Sequence, residues 1–165
     1  MATYDFSFTV PRPAADVFEY LSRFSNATQW DPGVVSAEDL TAGPVRVGSR
    51  FSLAVRFAGR QVPLVYEVSE LRPGVKVVFE AHNAMVKSRD AIEVTDLGEP
   101  GADECRIRYL ARLSGRGPWV IPLSPLLSLA LRRAGDKARA GLMARLGAPV
   151  RDGGRVPMPG RPSAS

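Results

Sequence analysis

Residues 11–33 read PRPAADVFEYLSRFSNATQWDPG, and the division of this stretch decides the fold. Pro11 and Pro13 end whatever precedes them, because proline has no N–H for a strand ladder, and Pro13 suits the first position of a helix. Between Ala14 and Phe24, the residues Val17, Phe18, Leu21 and Phe24 make one apolar stripe. Ser25 or Asn26 can cap a second short turn running to Trp30. Asp31-Pro32-Gly33 then forces a reversal, Pro by fixing φ and Gly by permitting the turn.

Working outward, residues 3–10 alternate Tyr4, Phe6, Phe8 and Val10 with Thr3, Asp5, Ser7 and Thr9, the period of a half-buried strand. Beyond Gly33 the alternation resumes. Residues 34–40 make a short strand. Residues 49–57 set Phe51, Leu53, Val55 and Phe57 against Arg50, Ser52, Ala54 and Arg56. Ala58-Gly59-Arg60 fits a hairpin connection to residues 61–71, where Leu64, Tyr66 and Val68 share a face opposite Glu67 and Ser69. Arg72-Pro73-Gly74 is a turn signal. Residues 75–82 and 85–97 follow, joined at His82-Asn83-Ala84. After a polar loop, residues 104–113 alternate Cys105, Ile107, Tyr109, Ala111 and Leu113 with Arg106, Arg108 and Arg112.

Gly115-Arg116-Gly117-Pro118 closes the strand pattern. From Trp119 onward, Leu123, Leu126, Leu127, Ala130, Leu131, Ala134, Ala138, Leu142 and Leu146 keep the spacing of one helical face. The regular helix is expected to start with Ser124 as cap and Pro125 in its first turn, and Gly147 suits its end. Residues 1–147 read as one domain. Residues 148–165, rich in Pro, Gly, Arg and Ser, have too little apolar content to fold and are expected to be a disordered tail.

Composition narrows the function. A single cysteine, Cys105, excludes an internal disulfide and a cysteine-rich metal site. A single histidine, His82, removes the usual paired-histidine zinc sites, and its place at a strand end among Lys76, Val78 and Glu80 reads as surface. Neither a metal nor a cofactor is expected. The net charge of +5 invites a nucleic-acid reading. Part of it belongs to the tail, where Arg151, Arg155 and Arg161 face only Asp152, and no recognition motif accompanies the rest. No nucleic-acid partner is expected. The start Met1-Ala-Thr-Tyr-Asp-Phe lacks the basic and apolar regions of a secretion signal. The nearest long apolar run, residues 119–131, is short and broken by Pro122 and Pro125, so no bilayer span is expected. These features predict a cytoplasmic protein of bacterial type, monomeric or homodimeric.

The first strand, the run Pro11-Arg-Pro-Ala-Ala-Asp-Val-Phe-Glu-Tyr-Leu21, the turn Trp30-Asp-Pro-Gly33 and Val47-Gly48-Ser49-Arg50-Phe51 together resemble the START/Bet v 1-like (SRPBCC) superfamily. Within it, the chain is most similar to the bacterial polyketide cyclase/dehydrase and lipid-transport group, over about residues 3–147. The resemblance implies an α+β helix-grip fold, a seven-stranded curved antiparallel sheet around a long C-terminal helix, with two short helices after the first strand. It also implies a ligand of lipid, sterol, polyketide or quinone type, and a Trp30 turn that shapes one end of a cavity. It carries over no catalytic triad.

On this reading the ligand-facing set is Trp30, Phe51, Leu53, Val55, Phe57, Leu64, Tyr66, Ile107, Tyr109, Trp119, Leu123 and Leu127. An apolar lining suits a hydrophobic or amphipathic small molecule, whose burial removes hydrocarbon from water. A phenol turned inward needs a partner for its hydroxyl, which singles out Tyr66 and Tyr109. Asp90 shares the parity of Val86, Ser88, Ile92 and Val94; buried unpaired on that face its pKa would rise, whereas a bulge or sheet end would leave it in solvent, or Arg89 or Arg56 would pair with it. The leading function is binding of a hydrophobic small molecule between sheet and terminal helix. Its rival is a cyclase or dehydratase with Asp90 as base and the tyrosines polarising a carbonyl. The third reading is a quinone-handling accessory protein that docks peripherally on a membrane through Trp119 and the arginine-rich outer face.

Overall fold

The structure, a computed structural model, describes residues 1–57, 59–84, 86–98, 103–115 and 124–147. Its strands are β1 (Ala2–Val10), β2 (Val34–Asp39), β3 (Arg50–Phe57), β4 (Arg60–Arg72), β5 (Lys76–His82), β6 (Val86–Asp96) and β7 (Cys105–Gly115). They form one antiparallel sheet in the order β1-β7-β6-β5-β4-β3-β2. From β2 to β7 each strand lies beside its successor, while β1 returns to pair with β7 from Ala2 opposite Leu113 to Val10 opposite Cys105.

β1 and β2 therefore occupy opposite edges, and the 23 residues quoted at the outset must cross the sheet between them. They do so as α1 (Ala14–Ser22) and a 3₁₀ turn (Phe24–Gln29). The helix stops because Arg23 is extended, with φ −88° and ψ 94°. Two details differ from the sequence reading. Pro13 sits one residue before the helix, with extended ψ of 134°, and its carbonyl accepts from Val17 N–H. Asn26 does not cap the second turn; its side-chain amide donates to the Tyr20 carbonyl at 2.8 Å and so closes the end of α1.

Alternation sends one face of each strand inward. On β4 an extra residue, Ser69, interrupts the pairing between Val68 and Glu70, a β-bulge that no periodicity announces. It brings Leu71 to the face of Val68 and bends the strand, as bulges do. The inner face meets α1, the 3₁₀ turn and α2 (Ser124–Leu146). The last helix ends where Gly147 takes a φ of 74°, the left-handed conformation that glycine adopts without steric cost. The helix-grip architecture, with its seven-stranded sheet and long terminal helix, is the one the family resemblance implies. The tail at residues 148–165 lies outside the described residues, as do Trp119 and Leu123.

α2 makes a close approach at two glycines, one against the Trp30 turn and one against the sheet. A Cβ at Gly141 would collide with the Trp30 carbonyl oxygen, and one at Gly135 with the Tyr4 ring. Tyr4 also donates to Asp136 at 2.6 Å, which ties β1 to the helix. Toward its C-terminus the helix buries Ala138, Leu142 and Leu146 in the same core as Val10, Val17, Leu21, Val77, Ile92 and Ile107.

Candidate ligand pocket

Near the middle of α2 the packing opens into a pocket of about 130 Å³ between helix and sheet. Its walls come from every layer: Tyr4 and Phe6 on β1, Phe24 and Ala27 on the 3₁₀ turn, Leu53 and Val55 on β3, Val62, Leu64 and Tyr66 on β4. β7 adds Tyr109, Ala111 and Leu113, and α2 adds Leu131, Ala134, Gly135 and Ala138. The helix contributes mainly side chains with little or no bulk, and space is what such residues leave at a close-packed interface.

Aromatic rings frame the wall. Tyr109 stacks on Phe6 with ring centres 5.5 Å apart and meets the edge of Trp30 at 5.9 Å. Phe24 stacks on Phe79 at 4.1 Å and touches Tyr66 edge to face at 4.9 Å. These offset and edge contacts are the arrangements that aromatic quadrupoles favour, so the rings hold fixed positions.

The polar end is built on β6. Asp90 is only 5% exposed and lines the pocket. One carboxylate oxygen accepts from the Ser88 hydroxyl at 2.9 Å, the other from the Tyr109 hydroxyl at 3.0 Å. Burial pushes the Asp90 carboxyl up to about 6; the hydroxyls of Ser88, Tyr109 and Tyr66 act against that rise by favouring the charged form. The Tyr66 and Tyr109 phenols are held well above their ordinary range, by burial first and then by the Asp90 charge, so both keep their protons.

A second carboxylate shares the pocket. Asp31 follows Trp30 in the turn, and its Oδ1 accepts from Gly33 N–H at 2.7 Å. Burial raises its pKa, with that hydrogen bond opposing, and its charge raises Asp90 in turn. Space at Gly33 is tight: a Cβ would lie 3.0 Å from the Asp31 carboxylate oxygen, which would have to shift to admit it. Gly33 is not among the glycines with positive φ, so what its missing side chain gives the turn is clearance beside Asp31.

Of the residues singled out from the sequence, Trp30, Leu53, Val55, Leu64, Tyr66, Asp90 and Tyr109 meet at this one pocket. Phe51 and Ile107 do not. Phe51 is buried edge-on to Phe79, and Ile107 lies opposite Val94 and Phe8, toward the closed end of the sheet. The side chains of Phe57 and Leu127 lie outside the described residues. Asp31 was read only as part of a turn, because three consecutive turn-forming residues account for themselves without an inward carboxylate. Ser88 carried a visible signal, its parity with Asp90. Tyr4 and Phe6 carried one too, since they alternate inward on β1.

Elsewhere, His82 is exposed and Cys105 is buried, its thiol pushed up to about 11 chiefly by desolvation. Arg89, a possible partner for Asp90 by sequence proximity, pairs with Glu80 at 3.1 Å on the outer face. Among the described residues no group of three His, Cys, Asp or Glu side chains is arranged to hold a metal ion, and no helix is long and apolar enough to cross a membrane.

Comparison with known proteins agrees with this architecture. The model of a family described as polyketide cyclase / dehydrase and lipid transport matches residues 1–148. A START superfamily protein from Mycobacterium smegmatis superposes with a TM-score of 0.72 at 14% identity, covering 89% of this chain and 98% of that one. The aromatase/cyclase Zhui from a Streptomyces species gives 0.72 at 14% identity, over 88% and 93%. A Thermobifida fusca protein is 23% identical with a TM-score of 0.58, over 88% and 95%. At these identities the likeness is one of fold. A search of the curated proteins gives no match.

Proposed function

Because the chain belongs to the polyketide cyclase/dehydrase and lipid-transport family, whose model spans residues 1–148, we propose that its pocket binds a small hydrophobic or amphipathic molecule between the sheet and α2. One observation carries this reading: an apolar, aromatic-walled cavity with a buried, hydrogen-bonded carboxylate at one end. Apolar walls supply affinity by removing hydrocarbon from water, and a few polar groups supply orientation. The volume of about 130 Å³ is close to that of engineered cavities of about 150 Å³ that take up benzene, so the ligand portion held here is about one ring in size.

The test is a titration of the ¹⁵N-labelled full chain with toluene, followed by amide chemical shifts. Saturable shifts at Asp90, Ala111 and Ala134, lost in Ala134→Phe, support the reading. Shifts that are absent, or that survive the filling substitution, refute it.

A cyclase or dehydratase using the same cavity is the second reading, favoured by the convergence of Asp90, Tyr66 and Tyr109. A carboxylate with a pKa of about 6 is largely ionised at neutral pH and is a competent base. In that scheme Asp90 takes a proton from the carbon beside a carbonyl and returns it to the departing hydroxyl, releasing water. Tyr109 donates to the ionised Asp90; it becomes available to polarise the carbonyl only as Asp90 gains its proton. Loss of water from a one-ring β-hydroxy ketone should then vanish in Asp90→Asn while binding persists, and retained turnover would refute the role.

A further inference from the structure

The polar end of the pocket has an excess of acceptors. Ser88 and Tyr109 each have one hydroxyl proton, and both protons are committed to Asp90. Tyr66 is a third hydroxyl that favours the same carboxylate. What Ser88 and Tyr109 still offer toward the cavity is lone pairs. Asp31 adds a further carboxylate, of which one oxygen is engaged by Gly33 N–H. On β1, in register with Ala111 and so with Asp90, Tyr4 is likewise committed, to Asp136.

Positive charge does not balance this wall among the described residues. Arg56 on β3 and Arg112 on β7 border the pocket through their strands, but both alternate with inward-facing neighbours and are exposed. Arg139 on α2 acts on Tyr4, and its buried Nε has no hydrogen-bond partner among the described residues, but it is not one of the residues that line the pocket. α1 and the 3₁₀ turn contribute Phe24 and Ala27 here and no charge. An incoming carboxylate or phosphate would meet two carboxyl groups in a low-dielectric site, whereas a hydroxyl or ammonium would find acceptors already held in place.

We propose that Asp31 and Asp90 together make the pocket selective for one-ring ligands whose polar end donates hydrogen bonds, a hydroxyl or a protonated amine, and exclude ligands that end in a carboxylate. This rests on the reading of the pocket as a binding site and adds the chemistry of the ligand's head.

The experiment uses four probes of one ring each, toluene, benzyl alcohol, benzylamine and benzoate, titrated into the ¹⁵N-labelled full chain at pH 7.5, above the Asp90 value of about 6. Benzyl alcohol and benzylamine should each bind at least about tenfold more tightly than benzoate, a gap of one decade in Kd. Benzylamine well above benzyl alcohol identifies charge as the selecting force; equal affinities identify hydrogen bonding. Asp31→Asn keeps an oxygen for Gly33 N–H and should narrow the benzylamine–benzoate gap by about tenfold. Asp90→Asn, which retains an acceptor for Tyr109, should narrow it as well. Benzoate binding as tightly as benzyl alcohol, with toluene still bound, overturns the selectivity and leaves the binding site standing. A gap unchanged in Asp31→Asn overturns the role of Asp31. Toluene that moves no pocket amide removes the binding site, and the selectivity with it.

Discussion

Strand β6 runs through two regions that differ in almost everything but their backbone. At Ile92 and Val94 it belongs to a closed core with Val77, Cys105 and Ile107, capped by Leu142 and Leu146 of α2. At Ser88 and Asp90, four and two residues before Ile92 on the same face, it lines a pocket roofed by Ala134, Gly135 and Ala138. The sheet is continuous and the helix unbroken across both. What changes is the size of the residue that the helix presents and the polarity of the residue that answers it. Cavity and core are thus alternative outcomes of one scaffold, decided by a handful of side chains.

The sharpest way to break this comparison is to create a void in each region. Leu142→Ala, at a fully buried position, should cost about 2–5 kcal/mol in chemical denaturation. Leu131→Ala, half-buried beside existing space, should cost about 1 kcal/mol or less. Equal losses would mean that the two regions are packed alike.

The next largest effect is electrostatic. The Asp90 carboxyl is raised in the folded state to about 6 from an ordinary 3.8, so the folded protein binds the proton more tightly than the unfolded chain. The stability this confers is complete below about pH 4 and is lost as pH rises through about 6. Asp90→Asn removes the dependence. Relative to wild type, the variant should therefore gain stability by roughly 3 kcal/mol between pH 4 and pH 7.5, measured by urea midpoints. A flat difference between the two proteins would place the Asp90 carboxyl outside the pocket's desolvated end.

Gly141→Ala forces a Cβ onto the Trp30 carbonyl. Overpacking of about 1–3 kcal/mol is offset by about 1 kcal/mol of helix propensity, so a net loss of up to about 2 kcal/mol is expected in thermal melts. A stabilised variant would show that helix and turn are not in contact. Smallest is Ala134→Leu, which extends into existing space. Its stability should stay within about 1 kcal/mol of wild type while toluene affinity collapses. A large loss of stability there would mean that the pocket region is as tightly packed as the core.

Most of the architecture was legible because alternation is a strong signal wherever one face is buried. Residues 49–57 and 104–113 carry it plainly, and the strands observed there begin and end within two residues of the expected bounds. The helical spacing of Ala138, Leu142 and Leu146 was equally direct. What escaped were features with no period. The Ser69 bulge inserts a single residue, and the glycine contacts at 135 and 141 depend on how closely two distant elements approach. At the pocket, parity located Asp90 and Tyr109 on the inner face. It could not separate Leu53, on the pocket wall, from Phe51, in the core one alternation away. Asp31 was hidden because its turn chemistry is local and its partner, Asp90, is not.

The pairing of β1 with β7 has a consequence for how the molecule is made. Strands β2 to β7 each find a partner next in the chain, but Ala2 must wait for Leu113. Contacts of such long sequence separation carry a loop-closure cost and slow the search for the native topology. Tyr4 and Phe6 arrive with β1, and the alanines of the roof arrive later still with α2. A chain synthesised from its N-terminus therefore produces the first wall of the pocket at the outset and can seat it only near the end. The pocket is complete only when folding is.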